Sequence, residues 1–229
     1  MEIDVSKCKI SVIIPVYNEA KRIPKVVKHV LEVLPTITEN YEVFVINDGS
    51  TDDTKNAAEG AGATVISHPY NIGNGAAVKT GLRAASGDIL IMLDGDGQHN
   101  PEDIHELVKY IKNYDMVVGA RGTTSEVRLH RKIANKIYNS FATYVASFPI
   151  EDLTSGFRVI RAPIAKKFLH LLPNTFSYPS TITLATLITG QSVKYVKIKT
   201  FYRSGKSKIK LIKDGARFFL IITKIATLF

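Results

Sequence analysis

Short apolar runs at 10–14, 43–46, 64–66, 89–93 and 116–119 recur along the first half of the chain, with helical patterns between them. Runs of this length bounded by turn residues read as strands buried on both faces. Strands alternating with helices specify a mostly parallel sheet covered by helices, an α/β fold. Helices are predicted at about 19–34 with Asn18 as cap, in a short stretch after Ser50 or Thr51, at 76–85, and from Pro101 to 112. Pro15 is expected to end the first strand. In such sheets ligands bind beyond the carboxyl ends of the strands. That rule selects Pro15 to Glu19, Asp48, and Asp94 to Gln98, polar clusters that each follow an apolar run.

After Gly119 the pattern changes. Arg121, Arg128, His130, Arg131 and Lys132 form a basic stretch leading into a helix at 132–146. Residues 152–158 are polar and contain Gly156, with a strand expected through Ile160 and a helix at 163–171. Residues 181–189 are rich in β-branched side chains and are assigned to a helix, and 193–198 alternate as a strand. The 229 residues, 45% of them apolar, suit one large domain, or a domain with an appendage. Cys8 is the only cysteine, which excludes an internal disulfide and a cysteine-rich metal site, and fits a reducing compartment. A net charge of +9 favours an anionic partner. The N-terminal residues lack a signal-peptide core, and no run reaches the roughly 18 apolar residues of a membrane span. The longest candidate, 216–229, is interrupted by Arg217 and Lys224 and would lead into a span only if the natural chain continued past Phe229.

Asp94-Gly95-Asp96-Gly97-Gln98-His99 carries the most specific chemistry. Two carboxylates one residue apart past a strand end can hold a hard divalent cation by oxygen and leave other positions to phosphate and water. Gly95 between them would let a ligand approach the backbone closely. The same residues also suit a plain polar turn. His99 reads as a hydrogen-bonding or surface residue rather than a ligand. Two glycine-rich stretches are decoys. Residues 71–77 open a helix but do not follow the first strand, where a dinucleotide fingerprint belongs, and Gly205-Lys206-Ser207 lacks the first glycine and the strand of a P-loop.

Val12-Ile-Ile-Pro-Val-Tyr-Asn-Glu19, Ile46-Asn-Asp-Gly-Ser50 and Asp94-Gly-Asp-Gly-Gln98 together resemble the inverting, GT-A-fold glycosyltransferases of family 2. Gly119-Ala-Arg121, the Arg131-Lys132 pair and Thr154-Ser-Gly-Phe157 are similar to the branch that makes polyprenyl-phosphate sugars of the dolichyl-phosphate mannose and glucose type. The resemblance covers roughly residues 10–210. It implies that Pro15, Tyr17, Glu19 and Asp48 hold the base and ribose of a nucleotide sugar, that Asp94, Asp96 and Gln98 bind Mg²⁺ or Mn²⁺, and that Asp94 also serves the donor. It further implies that Arg121 and Arg131, with Asn135 and Ser155, meet the acceptor phosphate, and that Arg203 closes over the diphosphate. Asp96, Arg121, Arg131 and Asp152 are the catalytic candidates; Asp152, Ser155 and Arg158 belong to the family's substrate-side loop. Arginine suits phosphate because its fork binds two oxygens at once.

The expected organisation is a GT-A, Rossmann-like catalytic domain over 1–205, with a nucleotide-sugar and metal half at 1–122 and an acceptor half at 123–205. An amphipathic interfacial helix follows at 206–229. There Lys206, Lys210, Lys213, Arg217 and Lys224 fall on one stripe, opposite Leu211, Ile212, Phe218, Phe219 and Ile222. Its expected partner is an anionic membrane surface, which places the protein at the cytoplasmic face; a membrane-anchoring partner or a homo-oligomer stays open. No nucleic-acid motif appears. The expected reaction moves one sugar from a UDP- or GDP-linked donor to a polyprenyl phosphate with inversion. Alternatives are a family 2 transferase acting on a sugar or lipid hydroxyl, with Asp152 as base, and a non-enzymatic membrane-bound nucleotide-binding protein. The absence of tryptophan disfavours processive polysaccharide synthases, which usually carry a Gln-x-x-Arg-Trp motif.

Overall fold

The computed structural model describes residues 4–122, 129–175, 177–201 and 223; for residues 129–137 it describes the backbone only. Strands β1 (Ile10–Val16), β2 (Tyr41–Asn47), β3 (Thr64–Ser67), β4 (Ile89–Met92) and β5 (Met116–Arg121) alternate with helices α1 (Ile23–Val33), α2 (Thr54–Glu59), α3 (Asn74–Ala84) and α4 (Asp103–Ile111). Then come α5 (Leu129–Ala146), β6 (Arg158–Arg161), α6 (Ala162–Phe168), α7 (Tyr178–Ile188) and β7 (Val193–Ile198). Among the described residues the strands form one seven-stranded sheet in the order β3-β2-β1-β4-β6-β5-β7. All pairings are parallel except those of β6, which runs antiparallel to both β4 and β5.

The sheet is buried on both faces, which is why its central strands read as unbroken apolar runs. Along β1, Ile10, Val12 and Ile14 pack on one side with Ile23, Val27 and Val30 of α1 and Ile104 and Leu107 of α4. Ile13 points the other way, to Ala77, Val78 and Leu82 of α3 and Ile182 of α7. Helix α7 forms despite its β-branched content because its threonines satisfy themselves. Thr183 Oγ1 donates to Pro179 O (2.8 Å) and Thr186 Oγ1 to Ile182 O (2.7 Å), so hydroxyls that would be costly to bury lie in the core.

Two local expectations are corrected. Pro15 lies inside β1, paired with Ile46. The β4 register reaches only Ile13, so no ladder bond on that side needs the proline N–H. Asn18 does not cap a helix: it takes a left-handed conformation (φ 57°), and α1 begins only at Ile23. Its side chain instead accepts the Thr51 N–H (2.8 Å) while its own N–H donates to Ser50 Oγ (2.9 Å), tying the loop after β1 to the loop after β2.

Candidate active site

Because β2, β1 and β4 are neighbours, the three polar clusters that follow them meet at one sheet edge. The reversal of β6 brings a fourth segment there. Its N-terminal end lies beside the carboxyl ends of β4 and β5, with Arg158 opposite Met92 on one side and Val118 on the other. Residues 152–157 therefore enter the same edge.

Pro15 is buried and Tyr17 half-buried. Glu19 is buried, its carboxylate 2.8 Å from Arg22 Nη1 and its N–H donating to Thr54 Oγ1 (2.9 Å). Asp48 is only 2% exposed. Its Oδ1 accepts the Ile72 N–H (3.0 Å) and faces His68 Nδ1 (2.7 Å); its Oδ2 accepts the Gly73 N–H (2.8 Å). His68 is fixed in turn by Thr80 Oγ1 at 2.8 Å. Asp48 thus organises the 71–73 turn, and any further acceptor capacity is confined to Oδ2. The glycines of that turn admit other backbone rather than a dinucleotide: a Cβ on Gly73 or Gly75 would overlap the carbonyls of Asn174 and Pro173.

Asp94 and Asp96 follow β4. Gly95 faces inward, where a Cβ would overlap Val16, so its bare side is filled by β1 and is closed to a ligand, contrary to expectation. Gly97 has φ +74°, a left-handed turn that brings the Gln98 N–H to Asp96 Oδ1 (3.1 Å). Phe201 N–H donates to Gln98 O (2.8 Å) and His99 bridges to Thr200, so the segment after β7 covers this loop. His99 is not a surface residue. It is 6% exposed, its ring lies 5.3 Å from that of Phe157, its Nε2 is 3.8 Å from Asp94 Oδ2, and its Nδ1 is buried without a hydrogen-bond partner among the described residues. Burial opposes charge on Asp94, but His99, then Arg121 and Arg158, outweigh it and hold the carboxyl below its usual range. Across from Asp94 sits Gly156, where a Cβ would overlap the carboxylate.

Arg121, at the end of β5, grips Asp152 with both arms of its fork: Nε to Oδ2 at 2.7 Å and Nη2 to Oδ1 at 2.9 Å, with Nη2 also on Thr154 Oγ1 (2.6 Å). Burial alone would raise the Asp152 carboxyl, but the guanidinium holds it below the usual range, and Asp152 raises Arg121 in return. Ser155 is fully buried, donating its hydroxyl to Gly119 O (2.6 Å). Arg158 does not line a substrate-side loop: it lies on β6, fully buried, and reaches α7. Arg131 and Asn135 lie on α5, and nothing is described of their side chains. Arg128, Arg203 and almost all of the 206–229 segment fall outside the described residues.

The structure thus brings Pro15, Tyr17, Glu19, Asp48, Asp94, Asp96, Gln98, Arg121, Asp152 and Ser155 to one edge. Sequence reasoning missed His68, which braces Asp48 across a strand and a turn that periodicity does not relate. For Arg158 a signal existed: a lone cation inside the apolar run 157–160.

The sequence model described as Glycosyl transferase family 2 matches residues 11–169, a span that contains all three clusters and Arg158. The chain belongs to glycosyl transferase family 2. It is a glycosyltransferase with a GT-A-like fold. A protein of Methanocaldococcus jannaschii, uncharacterized, is 31% identical over 210 residues, covering 87% of this chain and 84% of that one. The undecaprenyl-phosphate 4-deoxy-4-formamido-L-arabinose transferase of Photorhabdus laumondii is 31% identical over 184 residues, 74% of this chain. That match spans only 57% of the Photorhabdus transferase, a little over half its length. Glucosyl-3-phosphoglycerate synthase from Mycobacterium tuberculosis, solved with Mn²⁺, uridine diphosphate and phosphoglyceric acid, superposes with a TM-score of 0.78 at 17% identity, over 96% of this chain and 79% of that one. At that identity the likeness is one of fold. Among the described residues of this glycosyltransferase, no helix is long and apolar enough to cross a membrane, and no three His, Cys, Asp or Glu side chains cluster as a metal site.

Proposed function

We propose that this glycosyltransferase moves a single sugar from a UDP- or GDP-linked donor to a polyprenyl phosphate at a membrane surface, inverting the anomeric centre. The observation that carries this reading is the Arg121–Asp152 pair. A carboxylate gripped by a guanidinium and held below its usual range is a poor general base. A hydroxyl acceptor needs such a base, whereas a phosphate acceptor is already anionic and needs only cations and placement. The relatives named for undecaprenyl-phosphate transfer support the same acceptor class.

By residue type the set suits a hard divalent cation: two carboxylates and an amide oxygen, which leave other coordination positions to phosphate and water. Asp94, Asp96 and Gln98 would hold Mg²⁺ or Mn²⁺, which would neutralise charge building on the departing nucleoside diphosphate. The remaining work falls to the chain. Pro15, Tyr17 and Glu19 border the nucleoside side, and Asp48 shapes it through the 71–73 turn. Gly156 and His99 wall Asp94. Arg121 presents its cation where β5 ends, while Ser155 anchors the loop below it. Arg131 and Asn135, on the helix that follows, complete the acceptor-phosphate site, and Arg203 meets the diphosphate. The basic, apolar-faced segment 206–229 holds the enzyme to an anionic leaflet, where each basic residue contributes about 1 kcal/mol.

The test incubates the protein and Mn²⁺ with a panel of UDP- and GDP-sugars and, in parallel, a polyprenyl phosphate and the corresponding polyprenol, and reads the lipids by mass spectrometry. A monoglycosylated lipid phosphate is expected with one donor. Sugar transfer only to hydroxyl acceptors overturns the reading.

A further inference from the structure

Arg158 is the largest side chain fully buried among the described residues. Its guanidinium meets only neutral acceptors. Nη2 and Nε donate to Ser155 O (2.6 and 3.2 Å), and Nη1 donates to Pro179 O and Thr183 Oγ1 (2.9 Å each). The ion pairs formed by arginines among the described residues, such as Arg121–Asp152 and Arg161–Asp115, do not include it. Tyr178, Tyr195, Asp152 and Asp94 lie within its electrostatic reach, but no carboxylate forms an ion pair with it, and the buried hydroxyls of Tyr178 and Tyr195 have no hydrogen-bond partner among the described residues. Burying a cation with no carboxylate in contact is strongly unfavourable. An apolar side chain would fill the strand position at less cost if packing were all that was needed.

What the guanidinium supplies is a planar fork. Two of its nitrogens converge on one carbonyl of the 152–157 loop while the third spans two acceptors on α7, a geometry that a lysine ammonium or an amide cannot reproduce. The carbonyl it holds is that of Ser155. The next residue, Gly156, abuts the Asp94 carboxylate so closely that no Cβ fits. Arg158 also sits between Met92 and Val118, directly beneath the strand ends that carry Asp94 and Arg121. The chain of contact runs from α7 through Arg158 to Ser155, Gly156 and Asp94.

We infer that Arg158 is a positioning residue of the donor site, tying the 152–157 loop to α7 so that Gly156 fixes the placement of Asp94. This rests on the metal and nucleotide reading above. Its effect is geometric, so charge alone does not rescue it. Mn²⁺ uptake, followed by the electron paramagnetic resonance of the free ion in the presence of UDP and in parallel of GDP, tests it without turnover. Circular dichroism melting shows which variants are folded at the assay temperature.

Arg158→Lys and Arg158→Gln are each expected to weaken Mn²⁺ uptake about tenfold or more, a loss of the size that follows when supporting contacts of a metal ligand are removed. Thr183→Val, which deletes one acceptor at the α7 end, should weaken it about threefold, within the range of one lost hydrogen bond. Either Arg158 variant, folded and with wild-type affinity, overturns the inference. If neither Arg158 variant folds, Thr183→Val decides: wild-type affinity there overturns it. A wild-type protein that takes up no Mn²⁺ overturns the metal reading itself and this inference with it, whereas normal uptake by Arg158→Lys overturns only the role of Arg158.

Discussion

The two ends of the sheet both gather charge but treat it differently. At the amino edge, Glu42 accepts from Ser11 Oγ (2.6 Å) and the Ser86 N–H (2.8 Å) and pairs with Lys9 Nζ at 2.9 Å. Ser11 in turn accepts the Gly87 N–H (2.8 Å). Burial works against the Glu42 charge, but these partners outweigh it and draw the carboxyl down to about 2. Every group there is matched by a close neighbour. At the carboxyl edge, Asp94 has the His99 ring 3.8 Å away, the other ring nitrogen of His99 is buried without a partner among the described residues, and the hydrogen bonds of Arg158 go only to neutral oxygens. A fully matched network is finished and holds the fold. A partly matched one stores electrostatic capacity for something that arrives later. Substitutions at the two edges should therefore fail in opposite ways.

The largest effect is expected at Asp96. Asp96→Ala should lower transfer by about a thousandfold, the size seen when one preorganised electrostatic group is removed, with a melting temperature close to wild type. Unchanged turnover at saturating Mn²⁺ would break the contrast outright. Glu42→Gln should do the reverse. It should cost roughly 2–3 kcal/mol of stability at neutral pH while turnover well below the melting temperature stays the same. Because the folded Glu42 carboxyl lies below its ordinary value, that stability is present above about pH 4.5 and is lost as pH falls toward about 2. Urea unfolding of both proteins across this range should show their stabilities converging. The smallest effect is expected at Asp152. Asp152→Asn should slow transfer about tenfold, because it weakens the grip on Arg121 without removing a proton acceptor; loss of several thousandfold with an altered acid limb would mark Asp152 as a base and favour a hydroxyl acceptor.

Much of this was legible in the chain. Apolar runs at the right spacing gave the parallel half of the sheet, and the clusters after β1, β2 and β4 converge as the strand-end rule requires. The direction of β6 was not legible, because alternation along a strand does not tell which way its neighbours run. With it went the placement of Arg158, which reads as part of a polar loop when the chain is taken in order and as a buried tie once β6 is seen between β4 and β5. Asn18 misled for a related reason: a residue type that caps helices also adopts left-handed turns, and here the loop after β2 supplied its partners. Asp48 was singled out correctly as a strand-end carboxylate, but its bonds to Ile72, Gly73 and His68 depend on a turn that no local pattern announces. The chemistry of Asp94 and Asp96 shows in residue type; the wall that aims Asp94 lies far along the chain, at Gly156.

The reversed strand has a consequence for how the enzyme comes into being. β4 is synthesised before β5, yet the place between them belongs to β6, which emerges only after α5. Until then one backbone edge of β4 stays open on the growing chain, an apolar strand able to pair with the wrong neighbour. Residues 1–122 therefore do not complete the sheet without the residues that follow them. The strand that covers β4 and the glycine that abuts Asp94 both come from the segment after α5, so the growing chain receives them together.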